Sequence, residues 1–326
     1  MTDSPPAPLK PSSAAILVGI GFAWLFALLW VLRVTLTESG GADSGLISAA
    51  QNLFPLVTAI LAAGASAGML AVATLRFAST GLRRLAAGAG AGLLFGVLAG
   101  GLALAMIRDT RSSAVIAVCS AAAALVGGLF AAINPIRVVA AGVAGTYAAF
   151  LTKVILSIFL QKFTQEAGPE KSFFTSHWML LIFGVVSGIV AGVVSFRYLR
   201  RGPAQHWAGY LPAGAVAGAL AILSEGFAWL TVPRLVAPVT DATFTEALLA
   251  TDIGPRVNSG IALLFAGAVT ATILVGRTMR PATEESAEAP ARAVFPADAD
   301  QPEPVSVFGT PLPKADAAGG REQRSE

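Results

Sequence analysis

The sequence predicts an all-α, polytopic transmembrane helical bundle of about eight spans, with the N-terminus and C-terminus cytoplasmic. Three observations carry that expectation. Only 13% of the 326 residues are charged and 55% are hydrophobic, with a mean hydropathy of +0.71, whereas soluble domains carry roughly a quarter charged residues. The charges crowd into short gaps between apolar runs of about 20 residues, the length that crosses roughly 30 Å of hydrocarbon at about 1.5 Å per residue. Lys and Arg are also unevenly shared among those gaps, and basic loops are what orient a membrane protein.

Residues 1–13 are polar and Pro-rich and read as a disordered N-terminal segment. The run from 14 to about 34 is too long for a signal-peptide core and no small-x-small cleavage site follows it, so it reads as an anchor. Further runs lie at about 53–75, 85–107, 114–133, 138–160, 178–196, 208–230 and 259–276, making a membrane domain over 14–280. With the N-terminus inside, Arg76, Arg83 and Arg84 share one cytoplasmic loop, Arg137 lies in the next, and Arg197, Arg200 and Arg201 lie in the third. None of those loops holds an acid, and Lys plus Arg number 10 inside against 7 outside. Trp30, Trp178 and Trp229 near outer span ends, with Trp207 near an inner one, suit an aromatic belt.

Small residues recur at spacing four. Gly88, Gly92, Gly96 and Gly100 form one stripe, Gly184, Gly188 and Gly192 a second, and Gly64 with Gly68 a third. Lipid offers no hydrophobic force between helices, so such stripes predict close backbone packing, within one chain or between two. The segment 231–258 predicts a short amphipathic helix on the outer surface: Thr243 and Glu246 have capping-box spacing, and Phe244, Ala247, Leu248 and Thr251 share a face. Residues 161–177 show no periodicity and read as loop. The pentapeptide Gly-Phe-Ala-Trp-Leu occurs at 21–25 and again at 226–230, and a parallel duplication relating spans 1 and 7 is geometrically permitted.

From residue 281 the chain turns to Pro, Ala, Asp and Glu. Residues 1–280 hold 18 basic and 10 acidic groups, net +8, and 281–326 hold 4 and 9, net −5. That composition predicts a disordered acidic cytoplasmic tail. Within it, Val305, Val307 and Phe308 before a Gly-Thr-Pro-Leu-Pro run mark a candidate docking motif for a protein partner. The basic membrane domain calls for no nucleic acid, since orientation explains its charge.

One acid stands out. Glu225 is the only one of the 19 Asp and Glu residues inside a predicted span. Lys153 lies at a matching depth on span 5, each about 12 Å below the outer end. Ala141, Gly145 and Ala149 lead to Lys153, and Ala217 and Ala221 lead to Glu225, each set on one helical face. An ionised group at that depth costs several kcal/mol unless paired, hydrated or neutralised. A Lys153–Glu225 pair relieves both charges and reads either as the lining of a polar path or solute site, or as a structural pair fixing helix register. A further bland account has Lys153 snorkelling while Glu225 sits protonated.

Other polar groups read as structural. Arg33 and Arg108 sit at outer span ends within reach of headgroups. Asn52 with Pro55 reads as the start of span 2, and Asn134-Pro135 as the close of span 4. His177 and His206 lie on opposite sides of the membrane and cannot share a metal within one chain. Cys119, the single cysteine, reads as a small apolar filler. There is no G-x-x-x-x-G-K-[ST], no H-E-x-x-H and no G-x-S-x-G, and no cofactor is implied. The expected environment is a lipid bilayer, the plasma (inner) membrane of a bacterium, and oligomeric state is not encoded in any motif. Three functional readings follow: a non-enzymatic assembly or scaffold component, a permease-like or channel-like component using Lys153 and Glu225, and a membrane enzyme.

Overall fold

Among the described residues of the computed structural model, eight α-helices follow one another: α1 (Pro11–Glu38), α2 (Ala42–Thr74), α3 (Gly81–Met106), α4 (Thr110–Leu129), α5 (Ile136–Thr164), α6 (Pro169–Arg200), α7 (Tyr210–Val236) and α8 (Ala242–Thr278). Short 3₁₀ turns at Phe130–Ala132 and Trp207–Gly209 precede α5 and α7. The structure describes residues 11–38, 42–75, 81–107, 110–164, 169–202, 206–237, 240 and 242–278, all within one compact unit, Met1–Met279. The N-terminal segment up to residue 10 and the tail with its Val305–Pro313 motif lie outside the described residues. Each of the eight helices contains a stretch long and apolar enough to cross a membrane, so the protein is a multi-pass, all-α integral membrane protein. The helical state follows from the solvent: a spanning segment has no water to satisfy its backbone and must close its hydrogen bonds internally. Large apolar side chains such as Phe22, Leu94, Leu98, Ile182 and Phe265 accordingly face outward, each more than 50% exposed, where acyl chains receive them.

Three boundaries differ from the sequence reading. The segment 231–258 holds no separate surface helix: α7 continues through Pro233 to Val236, and Thr243 and Glu246 belong to an unbroken α8 that runs through Pro255. The stretch 161–177 is largely helix, as the end of α5 and the start of α6, with 165–168 outside the described residues. Span 2 does begin at Asn52, but its helix α2 starts at Ala42, so Asn52 and Pro55 mark the start of the apolar stretch and not a helix end. The shared reason is that helices overrun the hydrocarbon. Hydropathy marks where a span is apolar, whereas backbone hydrogen bonding continues past it until another group stops it.

The bundle is built from two four-helix halves closed in the same way. In each, the first helix packs on the second, and the fourth wedges between the second and third: α4 between α2 and α3, α8 between α6 and α7. The wedge is made by glycine. A Cβ on Gly68 or Gly88 would stand 2.8 or 2.5 Å from the Gly128 carbonyl oxygen, and one on Gly192 or Gly214 would stand 2.6 or 2.3 Å from that of Gly267. One turn away, a Cβ on Gly64 would strike the Ala124 carbonyl oxygen, and one on Gly188 would stand 2.7 Å from that of Leu263. The offset carrying Gly64 to Gly188 carries Gly68 to Gly192, and the offset carrying Gly88 to Gly214 carries Gly92 to Gly218. Both stripes in α3 and α6 therefore serve contacts within the chain: Gly96 and Gly100 lie against Ala121 and Ala117 of α4, and Gly184 against Ser259 of α8.

The Gly-Phe-Ala-Trp-Leu recurrence does not follow this correspondence, in which α7 matches α3 rather than α1. Its two copies also meet different surroundings. Gly21 abuts the Tyr147 hydroxyl and Ala63, whereas Gly226 faces open space. The first half meets the second chiefly through α2, the most buried span, with 78% of its apolar window inside the protein. This helix packs on α7 and α5, and its Thr58 donates to Ser224 Oγ of α7 at 2.7 Å, with Ser224 donating on to the Ala221 carbonyl at 2.7 Å.

Candidate functional site

The two small-residue faces that lead to Lys153 and Glu225 meet. Ala149 of α5 and Ala217 of α7 pack together with Ala191 and Leu263 in one buried cluster. Close approach there is enforced by Gly145, where a Cβ would stand 2.5 Å from Ser195 Oγ of α6. Ser195 itself donates to the Ala141 carbonyl at 3.1 Å. One turn further along α5 stands Lys153, and two turns further along α7 stands Glu225. They lie within electrostatic reach of each other, and Arg256 of α8 lies within reach of Lys153. Glu225 is 2% exposed and Lys153 half-buried. Between the two faces, Lys153, Ala149, Ala217 and Ala221 line a void of about 10 Å³, at the lower limit for holding one water.

Lys153 also opens onto a larger space. A recess of about 350 Å³ is enclosed by α2, α5, α6 and α8, at the end of the bundle where odd-numbered helices finish and even-numbered helices begin. Its walls are Phe54, Phe150, Leu180 and Phe183, and its polar groups include Lys153, Arg256 and Ser259. Lys153 Nζ and Arg256 Cζ stand 6.0 and 5.9 Å from the centroid of the same Phe54 ring, the distance at which a cation is attracted by an aromatic face. Ser259 is buried, and its hydroxyl has no hydrogen-bond partner. Glu225 lines neither cavity.

Arg256 and Ser259 are the site residues that the sequence reading passed over. Span 8 was placed at about 259–276, leaving Arg256 in a loop, whereas the apolar span begins at Pro255. A signal was present: Arg256, Ser259 and Leu263 have the i, i+3, i+7 spacing of one helical face, and that face continues the one packed on the α6 glycines.

The remaining candidates take local positions. Arg33 Cζ stands 5.6 Å from the Trp30 ring. Arg84 donates to Asn134 Oδ1, tying the start of α3 to the turn before α5, where the Asn134-Pro135 bond is cis. His206 caps the turn before α7, its Nδ1 accepting from Ala208 N at 3.4 Å. Cys119 is buried and accepts from Thr231 at 3.4 Å. Arg108 and the His177 side chain lie outside the described residues. Among the described residues no three His, Cys, Asp or Glu side chains are placed to hold a metal. No protein-family model, curated protein or solved structure matches the chain.

Proposed function

We propose that this integral membrane protein is a non-enzymatic, permease-like component that binds a small anionic ligand in the recess beside Lys153. The observation that carries the reading is the convergence of two cations, Lys153 and Arg256, over one aromatic ring inside an apolar-walled recess of about 350 Å³. That size falls within the roughly 300–1,000 Å³ of small-molecule sites. Glu225 lies within electrostatic reach of Lys153 as a counter-charge behind the recess. Aromatic walls exclude competing water and strengthen attraction for an anion.

Two further points favour this reading over assembly and over catalysis. The Gly88–Gly100 and Gly184–Gly192 stripes close α4 and α8 within the chain, so they offer no small-residue surface to a partner. Among the described residues, the recess wall has two cations and hydroxyls but no carboxylate, thiol or imidazole, a set suited to holding an anion rather than to general acid–base work. The charge of the loops supports an orientation with the recess end outside.

The test is thermal unfolding of the purified protein in zwitterionic nanodiscs with a panel of small organic anions and their neutral counterparts. At 100 times Kd a ligand adds about 2.7 kcal/mol, so the binding anion raises Tm clearly and its neutral counterpart does not. Lys153→Met and Arg256→Met each abolish that shift. Anions and neutral counterparts acting alike on the wild-type protein would falsify the proposal. Uptake of the binding anion into proteoliposomes then separates a carrier from a static binder.

A further inference from the structure

The recess is asymmetric in its chemistry, and that asymmetry describes a ligand. Its charged groups, Lys153 and Arg256, flank Phe54, and Ser259, whose buried hydroxyl has no partner of its own, lines the same wall. Three donors of this kind match an oxyanion: an ammonium supplies three N–H groups, a guanidinium five in a planar fork, and a hydroxyl one. The rest of the wall is Phe150, Leu180, Phe183 and Val154, which offers an oxyanion nothing and an aliphatic chain a good deal. The rim points the same way. Val154 is 37% exposed and Ser157 is exposed, and they sit on the stretch of α5 whose Leu151, Ile155, Ile158 and Phe159 face outward. The recess thus borders the surface that acyl chains cover.

From this juxtaposition we infer that the ligand is an anionic amphiphile. Its phosphate or carboxylate head is held by Lys153, Arg256 and Ser259, and its aliphatic portion lies along Phe150, Leu180 and Phe183 towards the bilayer. This rests on the reading of the recess as an anion site and narrows its substrate class. A membrane lipid and a free alkyl phosphate or fatty acid share that chemistry.

The experiment compares three probes on the full-length protein in phosphatidylcholine nanodiscs: octyl phosphate, inorganic phosphate and octanol, with affinity read by titration. Each buried methylene contributes roughly a factor of four, so burying half the chain makes octyl phosphate about 200-fold tighter than inorganic phosphate. Octanol binds at least tenfold more weakly than octyl phosphate. Equal affinity for inorganic and octyl phosphate overturns the amphiphile and leaves the anion site standing. Octanol matching octyl phosphate, or no probe binding, overturns both. Phe183→Ala weakens octyl phosphate at least fivefold and leaves inorganic phosphate unchanged, a split that general misfolding does not produce. Repeating the titration in nanodiscs containing phosphatidylglycerol assigns the source: competition by that lipid points to the bilayer, and an unchanged affinity to an amphiphile arriving from water.

Discussion

The two halves of the bundle close on the same glycine wedge yet carry different polar residues. The offset that takes Gly128 to Gly267 takes Ala117 to Arg256 and Ser120 to Ser259, and the offset that takes Gly88 to Gly214 takes Ala99 to Glu225. Where the second half has an arginine and a glutamate, the first has two alanines and packs without them. The serines differ as well: Ser120 donates to its own Ile116 carbonyl at 2.7 Å, while the hydroxyl of Ser259, a residue lining the recess, has no partner. The wedge therefore does not need these polar groups, and their presence in one half points to a task other than closing helices. The halves also part in how the first helix sits. α5 packs broadly on α7, while α1 barely touches α3. That single shift brings Lys153 beside the helix that holds Glu225.

The contrast is sharpest at the charges. Lys153→Met removes the ammonium from within reach of the buried Glu225 carboxylate and destabilises the protein by roughly 3 kcal/mol, as does Glu225→Gln, whereas the double variant recovers much of the loss. Reversible denaturation in mixed micelles measures it, and a double variant no more stable than either single breaks the pairing. Next in size come Gly128→Ala and Gly267→Ala. Each forces a methyl towards carbonyl oxygens of neighbouring helices, Gly88 at 2.3 Å and Gly214 at 2.3 Å, for about 1–3 kcal/mol. The two values should agree within about 1 kcal/mol; strong tolerance at one site alone would end the equivalence of the halves. Thr58→Val removes the hydrogen bond that joins α2 to α7 and lowers stability by about 1 kcal/mol, leaving each wedge intact. The smallest effect falls on Gly101→Ala. It lies on the same helix as the α3 stripe but faces open space, so its change stays within about 0.5 kcal/mol.

Much of this was legible in residue order. Spacing of four put Ala149 and Lys153 on one face and Ala221 and Glu225 on another, and equal distance from the span ends put both charges at one level. Those relations are local, because a helix repeats regularly and rise per residue is constant. Arg256 was missed because helix α8 overruns its apolar window, and a hydropathy boundary placed one turn late assigned a site residue to a loop. The correspondence of the halves was hidden for a related reason. It is carried by glycines whose neighbours differ, while the visible pentapeptide repeat joins α1 and α7, which have no equivalent place.

By itself the sequence determined that the chain lives in lipid, how many times it can cross, and which faces bear small residues. Each of these depends on transfer free energy or helical periodicity, quantities that a residue carries with it. Only the tertiary structure decided what those faces meet. It turned the glycine stripes inward onto α4 and α8, made α2 the chief contact between halves, and set Arg256 and Ser259 beside Lys153. Which helix lies against which depends on shape complementarity summed over many weak contacts, and no single residue carries that sum.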